Sequence, residues 1–399
     1  MTGAISAGVP PPAADTVVSG PLSRTTLVEI YFDHHASTPL DARVQWVMER
    51  AMSAPIGNPS SPHSAGRRAR AVVEEARAQI ARAVNARPAE VVLTGGGTEA
   101  CNLGVLGLAL DRGRVVTTSL EHPAVAEPIG ALARAGRERW SLSFPDGVVP
   151  DDHAVRSALA SEACALFAAQ SVNHETGTLV PVERWCTFAA DVGAPSFVDA
   201  TQALGKIRID FETSAVSAIA LASHKIGGPA GAGALVVRRG VVLDPQQLGG
   251  AQERGQRAGT PDVIAIAGFG AACELLSERL LAQPRIAAQR DRIEAFLVAR
   301  GARVNGAGPR VATVVDASFA GWRSSTLVAA LDLEGLCVAS GAACSSGVDK
   351  PSPVVLAMSP DDPSRASSAI RISLGPETTD DEVSRAIAIL ERVLARPPA

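Results

Sequence analysis

The chain has 399 residues, 46% of them hydrophobic, enough to bury a large core in one or two domains. A formal net charge of −4, no basic stripe and only 4% aromatic residues argue against a nucleic-acid surface. No apolar run reaches the roughly 18 residues of a membrane span, and the six cysteines follow no pairing pattern, which fits a reducing, cytoplasmic setting.

Residues 1–28 are rich in Gly, Pro, Ala and Ser without periodicity and read as a disordered leader. They lack the basic start and apolar run of a secretory signal. The folded part begins near "EIYFDHHAST". Residues 64–85 put Ala69, Val72, Val73, Ala76, Ile80 and Val84 on one helical face. "EVVLT" (90–94) is a short buried strand, "TEACNLGVLGLAL" a helix and "RVVTTS" (114–119) a strand. "CALFAAQS" (164–171), "SFVDA" and "AIALAS" (218–223) are further runs of strand length. Alternating β and α elements predict a mostly parallel sheet with helices on both faces. "GAGALVVRR" follows its predecessor too closely for a crossover and is expected to run antiparallel. A long helical stretch follows "RAGTPDVIAIAGFGAACELL" and runs to about residue 300. A shorter α/β block then ends in the amphipathic helix "TTDDEVSRAIAILERVLA", capped by Thr or Asp.

In open α/β sheets, ligands bind beyond the carboxyl ends of the strands. Five such ends carry polar groups here: Gly97 and Thr98 after "VVLT", His122 after "VVTTS", Asn173 after "LFAAQS", Asp199 and Gln202 in "FVDATQ", and Ser223, His224 and Lys225 after "AIALA". "TGGGTEA" admits two readings, a phosphate site at a helix N-terminus or a tight strand-to-helix turn. It matches neither the dinucleotide nor the Walker pattern. A lysine that can be desolvated forms Schiff bases. With a carboxylate at another strand end, Lys225 and Asp199 match pyridoxal 5'-phosphate chemistry, in which a lysine holds the cofactor and an aspartate faces its pyridinium nitrogen. Gln202 then suits the ring's phenolate oxygen. His122 reads either as a stacking partner of the ring or as a turn histidine bonded to backbone. Seven histidines are present, but no Cys or His pair has zinc-ligand spacing, so no metal is expected.

The stretches "YFDHHASTPLD", "GNPSSPHSAG", "LTGGGTEACNL", "SLEHPAV", "VNHETGTLVP", "VDATQALGKIRID", "SHKIGGPAGAGAL", "GGAQERGQRAGTPD", "ASGAACSSG" and "SSAIRISLG" span about residues 30–380. In that order they resemble the pyridoxal-phosphate cysteine desulfurases of the NifS/IscS kind, within the class V aminotransferase, fold-type I superfamily. The resemblance implies an α/β fold with a mostly parallel seven-stranded sheet in a large domain (45–285), and a smaller α/β domain (29–44 and 286–399) carrying the loop of Cys344.

It also implies roles. Lys225 holds the cofactor and shuttles protons. His122 stacks on it and joins acid/base steps. Asp199 pairs with the pyridinium nitrogen and Gln202 with the ring oxygen. Gly97, Thr98, Ser223 and His224 hold the phosphate, Asn173 lies on the substrate side, and Arg371 grips the substrate carboxylate. Thr260 reaches the phosphate of a neighbouring subunit, so a homodimer is implied. Cys344, flanked only by Gly, Ala and Ser, reads as a thiol on a tether. By resemblance it takes the sulfur of L-cysteine as a persulfide, leaves L-alanine, and hands the sulfur to an acceptor protein such as an iron–sulfur scaffold. The Cys344–Arg371 segment is long, which resembles members that deliver sulfur directly. The chain ends soon after its last helix, short of the scaffold-docking tail of housekeeping members. The alternatives are a selenocysteine lyase or another pyridoxal-phosphate lyase or aminotransferase of the same fold, or a non-catalytic sulfur carrier.

Overall fold

The computed structural model describes residues 29–53, 57–109, 113–160, 163–341 and 350–396; the leader 1–28 and Cys344 lie outside the described residues. Seven strands form the central sheet: β1 Val91–Thr94, β2 Arg114–Thr118, β3 Arg139–Leu142, β4 Cys164–Gln170, β5 Ser196–Asp199, β6 Ala218–Ala222 and β7 Gly233–Val237. Their order is β1-β7-β6-β5-β4-β2-β3. The five strands from β3 to β6 run parallel, whereas β7 is antiparallel to both its neighbours. The short link from Ala222 to Gly233 leaves no room for a crossover helix, so reversal is the sterically available solution. This is the mostly parallel seven-stranded sheet expected from the sequence. β3 escapes sequence reading because "RWSL" has no apolar run; as an edge strand it leaves three of its four residues exposed.

Side chains on both faces of the sheet are buried. Val92, Leu166, Phe197 and Leu235 pack into one layer, while Leu93, Phe167, Val198 and Val236 pack into the other. Helix α1, Ser64–Ala83, is capped by His63, whose Nδ1 accepts from the Gly66 N–H at 3.2 Å. It buries Ala69, Val73, Ala76 and Ile80 as its periodicity requires, and Val72 is only half-buried. Helix α2, Gly97–Leu108, lies close against the sheet. A Cβ at Gly104 would drive into the Phe197 ring. Helix α3, Pro123–Arg134, begins at His122. The long helical stretch expected after "ACELL" is two helices, Leu276–Leu281 and Gln283–Ala299, and a further helix, Val263–Glu274, precedes it.

A separate core gathers Ile30, Phe32, Ile293, Leu331, Leu336, Ile370, Ile372 and Leu390. It surrounds an antiparallel sheet in the order β10-β11-β9-β8, where β8 is Arg303–Val304, β9 Val314–Ser318, β10 Ala339–Ser340 and β11 Ala369–Ser373. Ile30–Tyr31 pairs in parallel with Leu336–Cys337, tying the start of the fold to its far end. Val311, Val314, Val354 and Met358 pack into the first core instead, so the 286–399 stretch serves both. The C-terminal helix Asp380–Leu394 opens with a capping box between Thr379 and Glu382. Among the described residues no helix is long and apolar enough to cross a membrane.

Candidate active site

The ends of β1, β2, β4, β5 and β6 open into one cavity of about 330 Å³, walled on the far side by Gly341 and Arg371 from the second core. Gly97, Thr98, His122, Asp199, Gln202, His224, Lys225 and Arg371 all line it. Ala36, Cys101, Gln170, His174 and Thr201 complete the wall.

Lys225 ends the short turn Ser223–Lys225 that follows β6. Its Nζ donates to the carbonyls of His35 at 2.6 Å and Ala36 at 3.0 Å. His224 beside it is pushed down to about 4, chiefly by burial and then by the Lys225 charge. Asp199 closes β5; its Oδ1 accepts from the Thr201 N–H at 2.9 Å and hydroxyl at 2.7 Å, which fixes the carboxylate. Gln202 donates from Nε2 to the His35 carbonyl at 2.9 Å, and its Oε1 accepts from Lys206 Nζ at 2.9 Å.

His122 answers both sequence readings at once. Its Nδ1 accepts from the Ala124 N–H at 3.0 Å, so it caps α3, and its ring still faces the cavity. That bond leaves Nδ1 without a proton and puts the neutral ring's hydrogen on Nε2. Burial lowers its pKa, with Lys225 and Arg371 acting the same way and Asp199 opposing them. The His174 ring meets it edge-on, centroids 4.9 Å apart. His174 is itself held well below its ordinary value by burial and by the charges of Arg371 and Lys225.

Arg371 sits in mid-strand on β11, its side chain only 4% exposed. Nη1 donates to the His174 carbonyl at 3.1 Å and Nη2 to Asp33 Oδ1 at 2.9 Å, while Nε has no hydrogen-bond partner among the described residues. The cavity thus carries two cationic side chains and three histidines kept neutral, and its field favours an anionic guest.

Three expected residues lie elsewhere. Asn173 is consumed by its own turn: Oδ1 accepts from Glu175 N, Thr176 N and Thr176 Oγ1, and Nδ2 donates to the Leu120 carbonyl. Its neighbours Val172 and His174 line the cavity in its place. Ser223 is fully buried just behind the wall, with Oγ unpartnered among the described residues and Gly228 packed against it. Thr260 is exposed in the loop before Val263–Glu274 and does not reach this cavity. The described chain stops at Gly341 on the cavity wall, short of Cys344, and resumes at Lys350.

Gln170, missed by sequence reading, ends β4 directly beside Asp199 in the β4–β5 register. The polar end of "LFAAQS" is the signal that identifies it. Cys101 on α2 is buried, and its thiol is pushed well above its ordinary value by burial and then by Asp199. Ala36 and Gly341 contribute backbone, for which side-chain chemistry offers no signal. Among the described residues no cluster of His, Cys, Asp or Glu is arranged to hold a metal ion.

The aminotransferase class-V family model matches residues 30–386. An IscS-like cysteine desulfurase of Mycobacterium tuberculosis is 38% identical over 381 residues, covering 92% of this chain and 96% of that protein. A cysteine desulfurase of Bradyrhizobium diazoefficiens is 36% identical, covering 92% and 95%. A solved NifS-like protein superposes with a TM-score of 0.85 at 29% identity, covering 92% and 99%. SspA in complex with cysteine gives 0.76 at 29% identity, covering 88% and 99%.

Proposed function

The chain belongs to the aminotransferase class-V family and is a cysteine desulfurase, and we propose that it uses pyridoxal 5'-phosphate to move sulfur from L-cysteine to Cys344. One observation carries this reading: Lys225, Asp199, Gln202, His122 and Arg371, from four separate places in the chain, face one cavity.

The residues fit the cofactor group by group. The Lys225 amine suits its aldehyde, the Asp199 carboxylate its ring nitrogen and the Gln202 amide N–H its ring oxygen. The α2 N-terminus at Gly97 and Thr98 suits its phosphate. The buried, unpartnered Ser223 hydroxyl close by supports the same assignment. When bound, pyridoxal phosphate supplies an electron sink for charge developing on the substrate.

The protein's own groups do the rest. Arg371 binds and orients the substrate carboxylate. Lys225 holds the cofactor and moves the proton at the substrate's α-carbon. His122, neutral with its hydrogen on Nε2, stacks on the cofactor and donates a hydrogen bond from Nε2 toward the reacting groups. The Cys344 thiolate attacks the substrate sulfur. An S–S bond forms as the Cβ–S bond breaks, and the electron pair left on the three-carbon skeleton takes a proton to give alanine. A protein acceptor, an iron–sulfur scaffold or a carrier, then removes the terminal sulfur. Thr260, exposed and away from its own cavity, serves the phosphate of a second copy in a homodimer, and the enzyme works in the cytoplasm.

The test is to load the full chain with pyridoxal phosphate, supply L-cysteine and a thiol reductant, and quantify alanine and sulfide. Equal release of both is expected. A cofactor-loaded protein that leaves cysteine unchanged, or that removes only the selenium of selenocysteine, overturns the reading.

A further inference from the structure

Gln202 and Lys206 stand four residues apart in the helical turn that follows β5, closed by Leu204 N–H to the Ala200 carbonyl and Ile207 N–H to the Ala203 carbonyl. That spacing puts their side chains on one face. We propose that Lys206 is a positioning residue for Gln202: its ammonium locks the Gln202 amide so that only N–H, never the carbonyl oxygen, is presented to the cavity. The proposal rests on the reading above, in which Gln202 donates to the cofactor's ring oxygen.

A glutamine amide has a donor end and an acceptor end of nearly the same shape, and its neighbours decide which way it points. The atom 2.9 Å from Lys206 Nζ is Oε1, the arrangement that the protonated amine requires, since an ammonium carries three donors and no acceptor. Nε2 is thereby turned toward the His35 carbonyl at 2.9 Å, which can only accept. One of its two hydrogens is used there, and the second is left for the cavity that Gln202 lines. A flipped amide would set its oxygen against an anionic ring oxygen. The charge on Lys206 also polarises the amide and strengthens that second N–H as a donor.

The setting of Lys206 argues against an incidental surface cation. It is half-buried, and desolvation together with the charges of Lys225, Arg279 and Arg371 pushes it down to about 7. Among the described residues no carboxylate pairs with it. A lysine in such company costs stability, and its one described side-chain bond is to Gln202.

The full-length apoprotein is titrated with pyridoxal phosphate, and its dissociation constant is read by fluorescence. Lys206→Met is expected to weaken binding by about tenfold, equivalent to ~1.4 kcal/mol. Gln202→Leu should weaken it similarly, and the double variant by no more than about twofold beyond either single one, because both remove the same N–H contact. Lys206→Arg, which keeps donor and charge, should stay within about threefold of wild type. If Lys206→Met does not fold, Lys206→Gln replaces it in the same cycle. Unchanged affinity in Lys206→Met, or losses that add in the double variant, overturn the inference. Failure of the wild-type chain to take up the cofactor overturns the functional reading instead.

Discussion

Arg371 Nη2 lies 2.9 Å from Asp33 Oδ1, so the arginine assigned to the substrate carboxylate already holds a carboxylate of its own chain. With Nη1 bonded to the His174 carbonyl, the guanidinium is fixed in plane before any substrate arrives. Preorganisation of this kind acts on binding more than on the chemical step. Asp33→Ala is therefore expected to raise the KM for cysteine about tenfold (~1.4 kcal/mol) and leave kcat within about threefold. Steady-state kinetics decide it. A lowered KM would mean that Asp33 competes with the substrate instead of positioning its receptor.

Lys225 and Cys344 are separable in function. Lys225→Ala should lose both turnover and the visible absorbance of bound cofactor. Cys344→Ser should keep that absorbance and lose alanine formation by at least ~10³-fold, about 4 kcal/mol of barrier, because a serine hydroxyl is scarcely ionised at neutral pH. Mass spectrometry of the wild-type protein after reaction should find the extra sulfur on the Cys344 peptide. Near-normal turnover in Cys344→Ser would describe a lyase that needs no protein thiol.

Glu121, next to the cavity-lining His122, is pushed up to about 8 by burial, against the hydrogen bonds it accepts from Thr118 Oγ1 and Gln170 N–H. Unfolded, it titrates near its ordinary value of 4.5. Between those two values the folded state binds the extra proton, so stability falls as pH rises through the window, by at most about 1.4 kcal/mol per pH unit. Glu121→Gln has no proton to lose. Its melting temperature relative to wild type should climb between pH 5 and pH 8; a constant difference refutes the assignment.

Gly→Ala in a helix interior normally stabilises by up to about 1 kcal/mol. At Gly104 the sign should reverse. The added methyl meets the Phe197 ring on one side and Leu235 on the other, and overpacking of this kind costs about 1–3 kcal/mol. A lower denaturation midpoint with unchanged slope is the expected result for Gly104→Ala.

Much of the site is legible in the sequence because buried parallel strands are apolar until they end, and the polar residues just after "VVLT", "VVTTS", "FVDA" and "AIALA" include Thr98, His122, Gln202 and Lys225, which reach the cavity. The same rule misleads at Asn173, where a side chain able to cap three backbone and hydroxyl donors folds back into its own turn. His174 and Gln170 were available to that rule and were passed over. Lys206 was not: a Gln–Lys pair four apart is meaningful only once the chain is known to coil after β5. The helical stretch after Leu276 was read without its break at Ala282, although Pro284 in the first turn of the next helix is the signal that marks it. Edge strand β3 lacked the two-sided burial that makes its neighbours readable.

The pairing of Ile30–Tyr31 with Leu336–Cys337 has a consequence for biosynthesis. At roughly 5–20 residues per second, the interval between the two segments leaving the ribosome is about 15–60 s. Through that interval the carbonyls of His35 and Ala36 belong to a segment without its strand partner, so Lys225 is made well before its two acceptors are anchored. The lysine's acceptors are accordingly in place only once residue 337 has emerged, and Arg371 follows later still, so a nascent chain can bury most of its central sheet before the cavity is complete.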